Sequence, residues 1–332
     1  MKALIVGGGV AAEIHCKVLT QLEIEIAGIC DLNEKVARAL AKQYSARAYT
    51  DLTEALKQDI DFAVICTPSG THPKLAIQVM RAGKNVVVEK PLGLTPEDCD
   101  KILEVEKATG MICAPISQLR FSETYKKVKE VLENKSLGTL VMCSLSMKYF
   151  RSREYYLDGW KGTKGMDGGE LMNQGIHGID IMCGLLGRPE YVSGKVTTRY
   201  HNIEAEDTAV AHFVFPGGML GSLDSSTAIT KSKPRRFEIC GSEGIIVVEE
   251  DKIVLAEGVQ LEQDKVGEYQ GSNDPKNIGL GLHALIYQNI LAAFRGETRL
   301  GYTAKDAADT VKVICAIYKS SETNHPVELK VE

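Results

Sequence analysis

Over the first 120 residues, short apolar runs alternate with stretches in which apolar residues recur at helical spacing. Several runs are apolar throughout, which is typical of parallel strands buried on both faces. We expect strands at residues 3–6, 24–30, 62–66, 85–88 and 111–116. Helices are expected between them at residues 11–21, 34–43, 73–82 and 96–109, the last capped by Thr95. The alternation predicts an α/β N-terminal Rossmann domain with a doubly wound parallel sheet in residues 1–120.

After residue 121, extended runs follow one another in series, separated by turn residues. We expect strands at residues 140–150, 191–200, 208–215, 219–227, 236–240 and 244–249. Helices are expected at residues 123–134, 170–186, 282–295 and 303–321, with a polar loop at 260–281. Consecutive strands on short turns predict an α+β C-terminal domain with a mostly antiparallel open sheet. We therefore expect residues 121–332 to form a substrate-binding and oligomerisation domain.

Composition excludes several classes of protein. The 332 residues carry a net charge of −5 with both signs interspersed, which argues against a nucleic-acid or acidic-membrane binder. No segment approaches the roughly 18 apolar residues of a membrane span. The nine cysteines are scattered and the seven histidines form no Cys/His cluster, so we expect reduced thiols, a cytoplasmic protein and no metal site.

A glycine-rich motif follows the first expected strand directly. Gly7, Gly9 and Ala12 form G-x-G-x-x-A, in which the first glycine permits the tight turn and the second lets the backbone approach a pyrophosphate. The phosphates would lie at the helix N-terminus, near the N–H groups of Val10 and Ala11. The motif predicts a dinucleotide site.

Asp31 follows the second strand, nineteen positions after Ala12. A carboxylate there can accept hydrogen bonds from the ribose hydroxyls and would repel a 2′-phosphate, so NAD is favoured over NADP. The alternative is that Asp31 only caps the next helix.

Three further segments resemble the Gfo/Idh/MocA family of sugar and polyol oxidoreductases. They are Cys-Thr-Pro-Ser-Gly-Thr-His at residues 66–72, Glu89-Lys90-Pro91, and Gly-Gly-Glu-Leu-Met-Asn-Gln-Gly-Ile-His-Gly-Ile-Asp at residues 168–180. The resemblance continues into the closing helix and covers nearly the whole chain. It implies that Thr67, Pro68 and His72 lie along the cofactor, and that the protein is a homodimer or homotetramer.

The resemblance also implies catalytic positions. Glu89 and Lys90 would reach the nicotinamide and the substrate, and Pro91 would fix their backbone, often through a cis bond. His177 would stand over the reacting carbon. This agrees with the chemistry of alcohol oxidation, in which an imidazole with a pKa near 6.5 takes the hydroxyl proton and a lysine stabilises the developing alkoxide. Taken without the motif, Lys90 could be a surface lysine and His177 a core histidine.

Asn173 departs from the family pattern, which has Asp four residues before the histidine. Asn can hold a hydroxyl but cannot take its proton. Asp180 lies one helical turn after His177 and could orient it, or could face solvent.

The substrate is indicated by a basic, aromatic segment at residues 151–164, which includes Trp160 and Lys161, and by Arg120. Cations suit carboxylate or phosphate groups and aromatic rings suit sugar or base faces. These features and Asn173 resemble the branch that oxidises nucleotide-linked sugar acids such as UDP-N-acetylglucosaminuronate. The alternative is a solvated basic surface.

Three other functions stay open at this point. Some relatives oxidise a glycoside transiently with bound NAD and then eliminate the leaving group, which gives net hydrolysis. A non-catalytic NAD-sensing regulator could use the same fold, and a plain polyol or deoxysugar dehydrogenase could use the same residues.

Overall fold

The computed structural model describes residues 1–264 and 280–329, and these residues form two compact units. The first unit comprises residues 1–118 with 280–308, and the second comprises residues 119–264 with 309–329. The sequence predicted a second domain formed by residues 121–332. In the structure, residues 280–308 belong to the first unit instead.

The first unit contains a six-stranded parallel sheet in the order β3-β2-β1-β4-β5-β6. The strands are β1 (Lys2–Val6), β2 (Glu25–Cys30), β3 (Arg47–Tyr49), β4 (Phe62–Ile65), β5 (Asn85–Val88) and β6 (Cys113–Pro115). All four residues of β4 are completely buried, as the continuous apolar run predicted. This strand order is that of the dinucleotide-binding fold, and the predicted Rossmann domain is confirmed.

Several helices of the first unit begin at a residue whose side chain caps the helix. They are α1 (Val10–Gln21), α2 (Glu34–Gln43), α3 (Leu52–Leu56), α4 (His72–Arg81), α5 (Pro96–Thr109) and, much later in the chain, α8 (Leu280–Phe294). Thr95 accepts a hydrogen bond from the N–H of Asp98 at the start of α5, as predicted. Helix α8 joins this unit because Tyr287 bonds to His15 of α1 and Phe294 packs on Phe62 of β4.

The second unit contains an eight-stranded sheet in the order β13-β12-β11-β7-β10-β9-β8-β14. Its strands are β7 (Leu140–Lys148), β8 (Tyr191–Thr197), β9 (Thr208–Val214), β10 (Leu220–Ser226), β11 (Arg236–Gly241), β12 (Ile245–Glu249), β13 (Lys252–Glu257) and β14 (Val327–Glu328). The β7–β10 pair is parallel and the other pairs are antiparallel, so the predicted mostly antiparallel sheet is confirmed.

Three helices belong mainly to the second unit: α6 (Glu123–Glu133), α7 (Ile176–Leu186) and α9 (Ala304–Thr323). A π-helical turn, Leu171–Gly175, leads into α7, where the sequence predicted a regular helix from 170. A Cβ atom at Gly178 would lie 2.3 Å from the sulfur of Met147, so glycine lets α7 lie close against β7. π-Helical turns such as Leu171–Gly175 recur at functional sites.

The remaining predictions on the fold concern a loop, the cysteines and membrane-spanning helices. Residues 260–264 have no regular structure, and most of the predicted loop at 260–281 lies outside the described residues. The nine cysteines are present as thiols. In residues 1–264 and 280–329, no helix is both long and apolar enough to cross a membrane.

Candidate active site

The turn between β1 and α1 has the geometry of a dinucleotide cradle. Gly7 has φ +94°, and a Cβ atom on it would lie 2.8 Å from the carbonyl oxygen of Cys66. Gly9 is the N-cap of α1 and offers no side-chain acceptor, so it leaves the first-turn N–H groups at Val10 and Ala11 without a capping side chain. A pyrophosphate fits such a helix N-terminus.

Asp31 lies at the end of β2 and faces this turn. Its Oδ2 accepts a hydrogen bond from the N–H of Gly8 at 2.8 Å, and its Oδ1 accepts one from Asn33 N–H at 2.8 Å. The cap of α2 is Asn33, which accepts from Lys35 N–H, so the helix-cap alternative for Asp31 is wrong. Each carboxylate oxygen has a second lone pair, which suits a ribose hydroxyl.

His72 connects two loops of the first unit through both of its ring nitrogens. Its side chain is buried, with Nδ1 2.7 Å from the carbonyl oxygen of Pro91 and Nε2 2.8 Å from that of Thr67. Burial lowers the pKa of His72, although both carbonyl contacts oppose that change. The imidazole therefore joins the loop at Thr67 and Pro68 to the loop at Pro91, and its contact with the cofactor stays a prediction.

Glu89, Lys90 and Pro91 follow β5, and the Lys90–Pro91 bond is cis, as the resemblance implied. Glu89 Oε1 lies 2.8 Å from His15 Nε2, and Oε2 accepts a hydrogen bond from Lys90 N–H at 3.1 Å. Burial alone would raise the pKa of Glu89, but the hydrogen bond from His15 and the charge of Lys90 hold it well below its usual range. Glu89 is therefore an ionised group that orders the backbone at Lys90.

His15 on α1 was not predicted from the sequence. It is completely buried, and its Nδ1 lies 2.7 Å from the hydroxyl oxygen of Tyr287. A lone histidine on the apolar face of a helix, next to a glycine-rich turn, was the signal available. The structure joins Tyr287, His15 and Glu89 in one buried chain of hydrogen bonds.

In the second unit, the π-helical turn and the start of α7 form the segment that the motif singled out. Residues 171–180 are buried except for Asn173, Gln174 and His177, which are partly exposed. The spacing of Asn173 and His177, four residues apart, puts both on one side of the segment. An amide and an imidazole are thus the groups that this segment offers to a ligand.

Two buried carboxyl groups lie beneath this segment. Glu170 Oε1 accepts a hydrogen bond from the Ser225 hydroxyl at 2.6 Å, and burial raises the pKa of Glu170 to about 8. Glu206 accepts hydrogen bonds from Leu171 N–H and the Tyr318 hydroxyl, and burial raises its pKa to about 7. The backbone at 169 must be glycine, because a Cβ atom there would overlap the Glu206 carboxylate.

Arg120 and Asp180 form a buried ion pair. Arg120 Nε and Nη2 donate to the two Asp180 carboxylate oxygens at 2.9 and 2.7 Å, and Thr310 Oγ1 donates to Oδ1 at 3.0 Å. Asp180 is only 2% exposed, so the alternative that it faces solvent is wrong. Each residue satisfies the charge of the other, and substrate binding by Arg120 and Asp180 stays a prediction.

The basic segment is more packed than a solvated surface. Lys161 pairs with Asp158 at 2.5 Å, and its Nζ lies 4.3 Å from the ring centroid of Tyr155 and 5.4 Å from that of Trp160. A cavity of about 360 Å³ is lined by Tyr156, Gly159, residues 161–163 and residues 202–204. Substrate binding by Trp160 and Lys161 stays a prediction.

Family models match both parts of the chain. Residues 1–116 match the model described as "Oxidoreductase family, NAD-binding Rossmann fold", and residues 125–247 match the "GFO/IDH/MocA C-terminal domain". Among curated proteins, myo-inositol 2-dehydrogenase of Thermotoga maritima is 27% identical over 276 residues, which cover 77% of this chain and 78% of that protein.

The chain is similar over its whole length to solved structures. The WlbA dehydrogenase from Bordetella pertussis, in complex with NADH and UDP-GlcNAcA, has a TM-score of 0.90 and 27% identity, covering 100% of this chain and 99% of that one. The WlbA dehydrogenase from Chromobacterium violaceum, with the same two ligands, also has a TM-score of 0.90 and 27% identity, covering 100% and 96%.

Proposed function

Since the chain belongs to the Gfo/Idh/MocA family of NAD-binding oxidoreductases, we propose that it transfers a hydride between NAD and a hydroxyl-bearing carbon of an anionic, nucleotide-linked sugar. The observation that carries the reaction class is the pair Asn173 and His177, an amide and an imidazole that, together with Gln174, are the partly exposed side chains of residues 171–180. The residues around Gly7 and Asp31 fit NAD in the first unit.

The substrate class is supported by similarity. Both WlbA dehydrogenases named above, at 27% identity over the whole of this chain, were solved with UDP-GlcNAcA. That ligand is a nucleotide-linked sugar acid. The side chains of Trp160 and Lys161 add an aromatic surface and a cation of the kind that such a ligand needs.

Chemistry at the hydroxyl needs two transfers. NAD, when bound, accepts the hydride from carbon, and the protein must accept the hydroxyl proton. We assign that proton to His177, because an imidazole is the side-chain group that most often takes a proton in enzymes working near neutral pH. Lys90 stabilises the negative charge that develops on the substrate oxygen. Asn173 holds a hydroxyl without taking its proton.

Absorbance of the reduced nicotinamide tests this proposal. The wild-type chain is incubated with NAD and, separately, with neutral sugars, free sugar acids and UDP-linked sugar acids. We expect NADH only with the UDP-linked acids, and a loss of at least about 100-fold in kcat for Lys90→Met and His177→Gln. NADH formation from neutral sugars alone would contradict the substrate class, and no NADH from any sugar would contradict the reaction class.

We also propose that the chain forms a homodimer through the open face of the eight-stranded sheet. Met142, Leu220, Val214 and Tyr191 are paired successively across β7, β10, β9 and β8, so they form one row on one face. Three of these four are among the most exposed large apolar side chains of the described residues. Light scattering should give twice the mass of one chain, and Leu220→Lys should reduce it to one.

A further inference from the structure

Arg151 follows β7 and is held in one position by its surroundings. Its backbone N–H donates to the carbonyl oxygen of Thr227 at 3.1 Å, and its own carbonyl oxygen accepts from His201 Nε2 at 3.0 Å. The guanidinium carbon lies over the rings of Tyr149 and Tyr155, 5.8 and 5.5 Å from their centroids. Arginine stacks on aromatic rings in this way, so the guanidinium is fixed before any ligand binds.

Arg151 forms no ion pair with a carboxylate of the described residues. The other buried or half-buried arginines of the second unit do form ion pairs, namely Arg120–Asp180, Arg188–Asp309, Arg235–Glu250 and Arg236–Glu249. The Nη1 and Nη2 atoms of Arg151 donate instead to neutral oxygens, those of the Phe150 carbonyl and the Gln174 amide, both at 2.9 Å. A guanidinium has five N–H groups, so these two bonds leave three for a ligand. One of the three, the Nε–H, is buried and has no acceptor in the described part of the chain.

The ionisable groups around Arg151 leave its charge unbalanced. Burial raises the pKa of Glu170 to about 8, although the charge of Arg151 acts to lower it, so Glu170 keeps its proton near neutral pH. Lys161 is the other cation on the Tyr155 ring, and its charge is already paired with that of Asp158. Arg151 is therefore the cation beside this ring whose charge is available to an anionic ligand.

The guanidinium lies next to the segment assigned to the reacting hydroxyl. Arg151 Nη2 lies 2.9 Å from Gln174 Oε1, and Gln174 directly follows Asn173 and precedes His177 by three residues. Side chains three residues apart on a helix are neighbours, with about 5–6 Å between their Cβ atoms. A sugar acid carries its hydroxyls and its carboxylate on one ring, so the ring can present a hydroxyl to His177 and the carboxylate to Arg151.

We propose that Arg151 determines the specificity for a sugar acid by donating hydrogen bonds to its carboxylate. The inference rests on the proposed function. A guanidinium matches a carboxylate with two parallel N–H···O bonds, and the carboxylate supplies the counter-charge that Arg151 lacks among the described residues. Little ordering of the side chain is needed on binding, because the two tyrosine rings and the bonds to Phe150 and Gln174 already order it.

Two matched substrates test this assignment: a UDP-linked uronic acid, and the same UDP-linked sugar with a CH2OH group in place of the carboxylate. In Arg151→Gln, kcat/KM for the acid should fall by about 10- to 100-fold, the effect of losing hydrogen bonds between charged groups. The value for the alcohol should change by less than about threefold, because its CH2OH group makes no charged contact. Where the alcohol reacts too slowly to follow, dissociation constants measured by calorimetry with NADH present give the same comparison.

Arg295→Gln is the matched control, since it removes the same charge from an exposed ion pair with Glu297 after α8. It should leave kcat/KM for both sugars unchanged. If circular dichroism shows that Arg151→Gln does not fold, Arg151→Lys takes its place. Lysine keeps the charge without the two parallel donors, so the KM for the acid alone should rise, by about 5- to 20-fold.

The outcomes separate this inference from the proposed function. With an active wild-type chain, an unchanged kcat/KM for the acid in the Arg151 variant overturns the inference alone. An equal loss with both sugars also overturns it, because the contact would then be to the nucleotide that both share or to the fold itself. No NADH from the wild-type chain with any sugar overturns the proposed function, and the calorimetric dissociation constants then still decide whether Arg151 binds the carboxylate.

Discussion

The Glu170 carboxyl group gives a test of the burial that underlies the candidate site. It is 3% exposed, and burial raises its pKa from 4.5 to about 8. In the unfolded chain the group loses its proton near pH 4.5. Between pH 4.5 and 8 the folded chain therefore binds more protons than the unfolded chain, and the free energy of unfolding must fall as pH rises.

The size of this effect follows from the two pKa values. One pKa unit corresponds to about 1.36 kcal/mol, so the stability present below pH 4.5 and lost by pH 8 amounts to roughly 5 kcal/mol. Glu206, with a pKa raised to about 7, acts in the same direction. Glu170→Gln keeps the shape of the side chain and the oxygen that accepts from Ser225, but it cannot ionise. Between pH 4.5 and 8, the free energy of unfolding of this variant should therefore fall by several kcal/mol less than that of the wild type.

Urea unfolding at several pH values measures the difference. Trp160 is the single tryptophan and belongs to the second unit, so its fluorescence reports on the unit that contains Glu170. Glu257→Gln, at an exposed position on β13, is the control and should follow the wild-type pH dependence. Parallel pH dependences for wild type and Glu170→Gln would contradict the claim that ionisation of Glu170 lowers the free energy of unfolding as pH rises.

Three further predictions concern the first unit. Gly7→Ala should lower the free energy of unfolding by about 2 kcal/mol in thermal or urea melts, because of its positive φ and the contact with Cys66, and wild-type stability would contradict this. Asp31→Ala should raise the KM for NAD by about 10- to 100-fold and reduce the preference over NADP, measured by initial rates; an unchanged preference would exclude the ribose contact. His15→Phe should remove the hydrogen bond that Glu89 Oε1 makes with His15, so the melting temperature and kcat should both fall; kcat equal to that of the wild type would show that Glu89 needs no such partner.

Most of the fold could be predicted from the sequence, because the signals that indicate strands and helices are local. Continuous apolar runs, helical spacing and the Thr95-Pro96 start predicted most strands and helices to within a few residues. Strand β3 and helix α3 were missed because three and five residues are too short to show a period. Strand β14 was missed for the same reason, and β13 was overlooked although its apolar run follows a turn.

The candidate site was less predictable because its details depend on contacts distant in sequence. Motifs identified Gly7, Asp31 and the Lys90–Pro91 bond. No local pattern indicates that Arg120 meets Asp180, sixty residues later, so the ion pair could not be predicted from the sequence. The role of His15 depends on the same kind of distant pairing, with Glu89 and Tyr287.

The most direct test of the central claim is a single-turnover reaction of the wild-type chain with NAD and a UDP-linked sugar acid. NADH is followed by absorbance and the sugar product by mass spectrometry. We expect one NADH per sugar consumed and a product that has lost two hydrogens while keeping its nucleotide. Release of the nucleotide without net NADH, or no change in the sugar with NAD bound, would contradict the proposed hydride transfer.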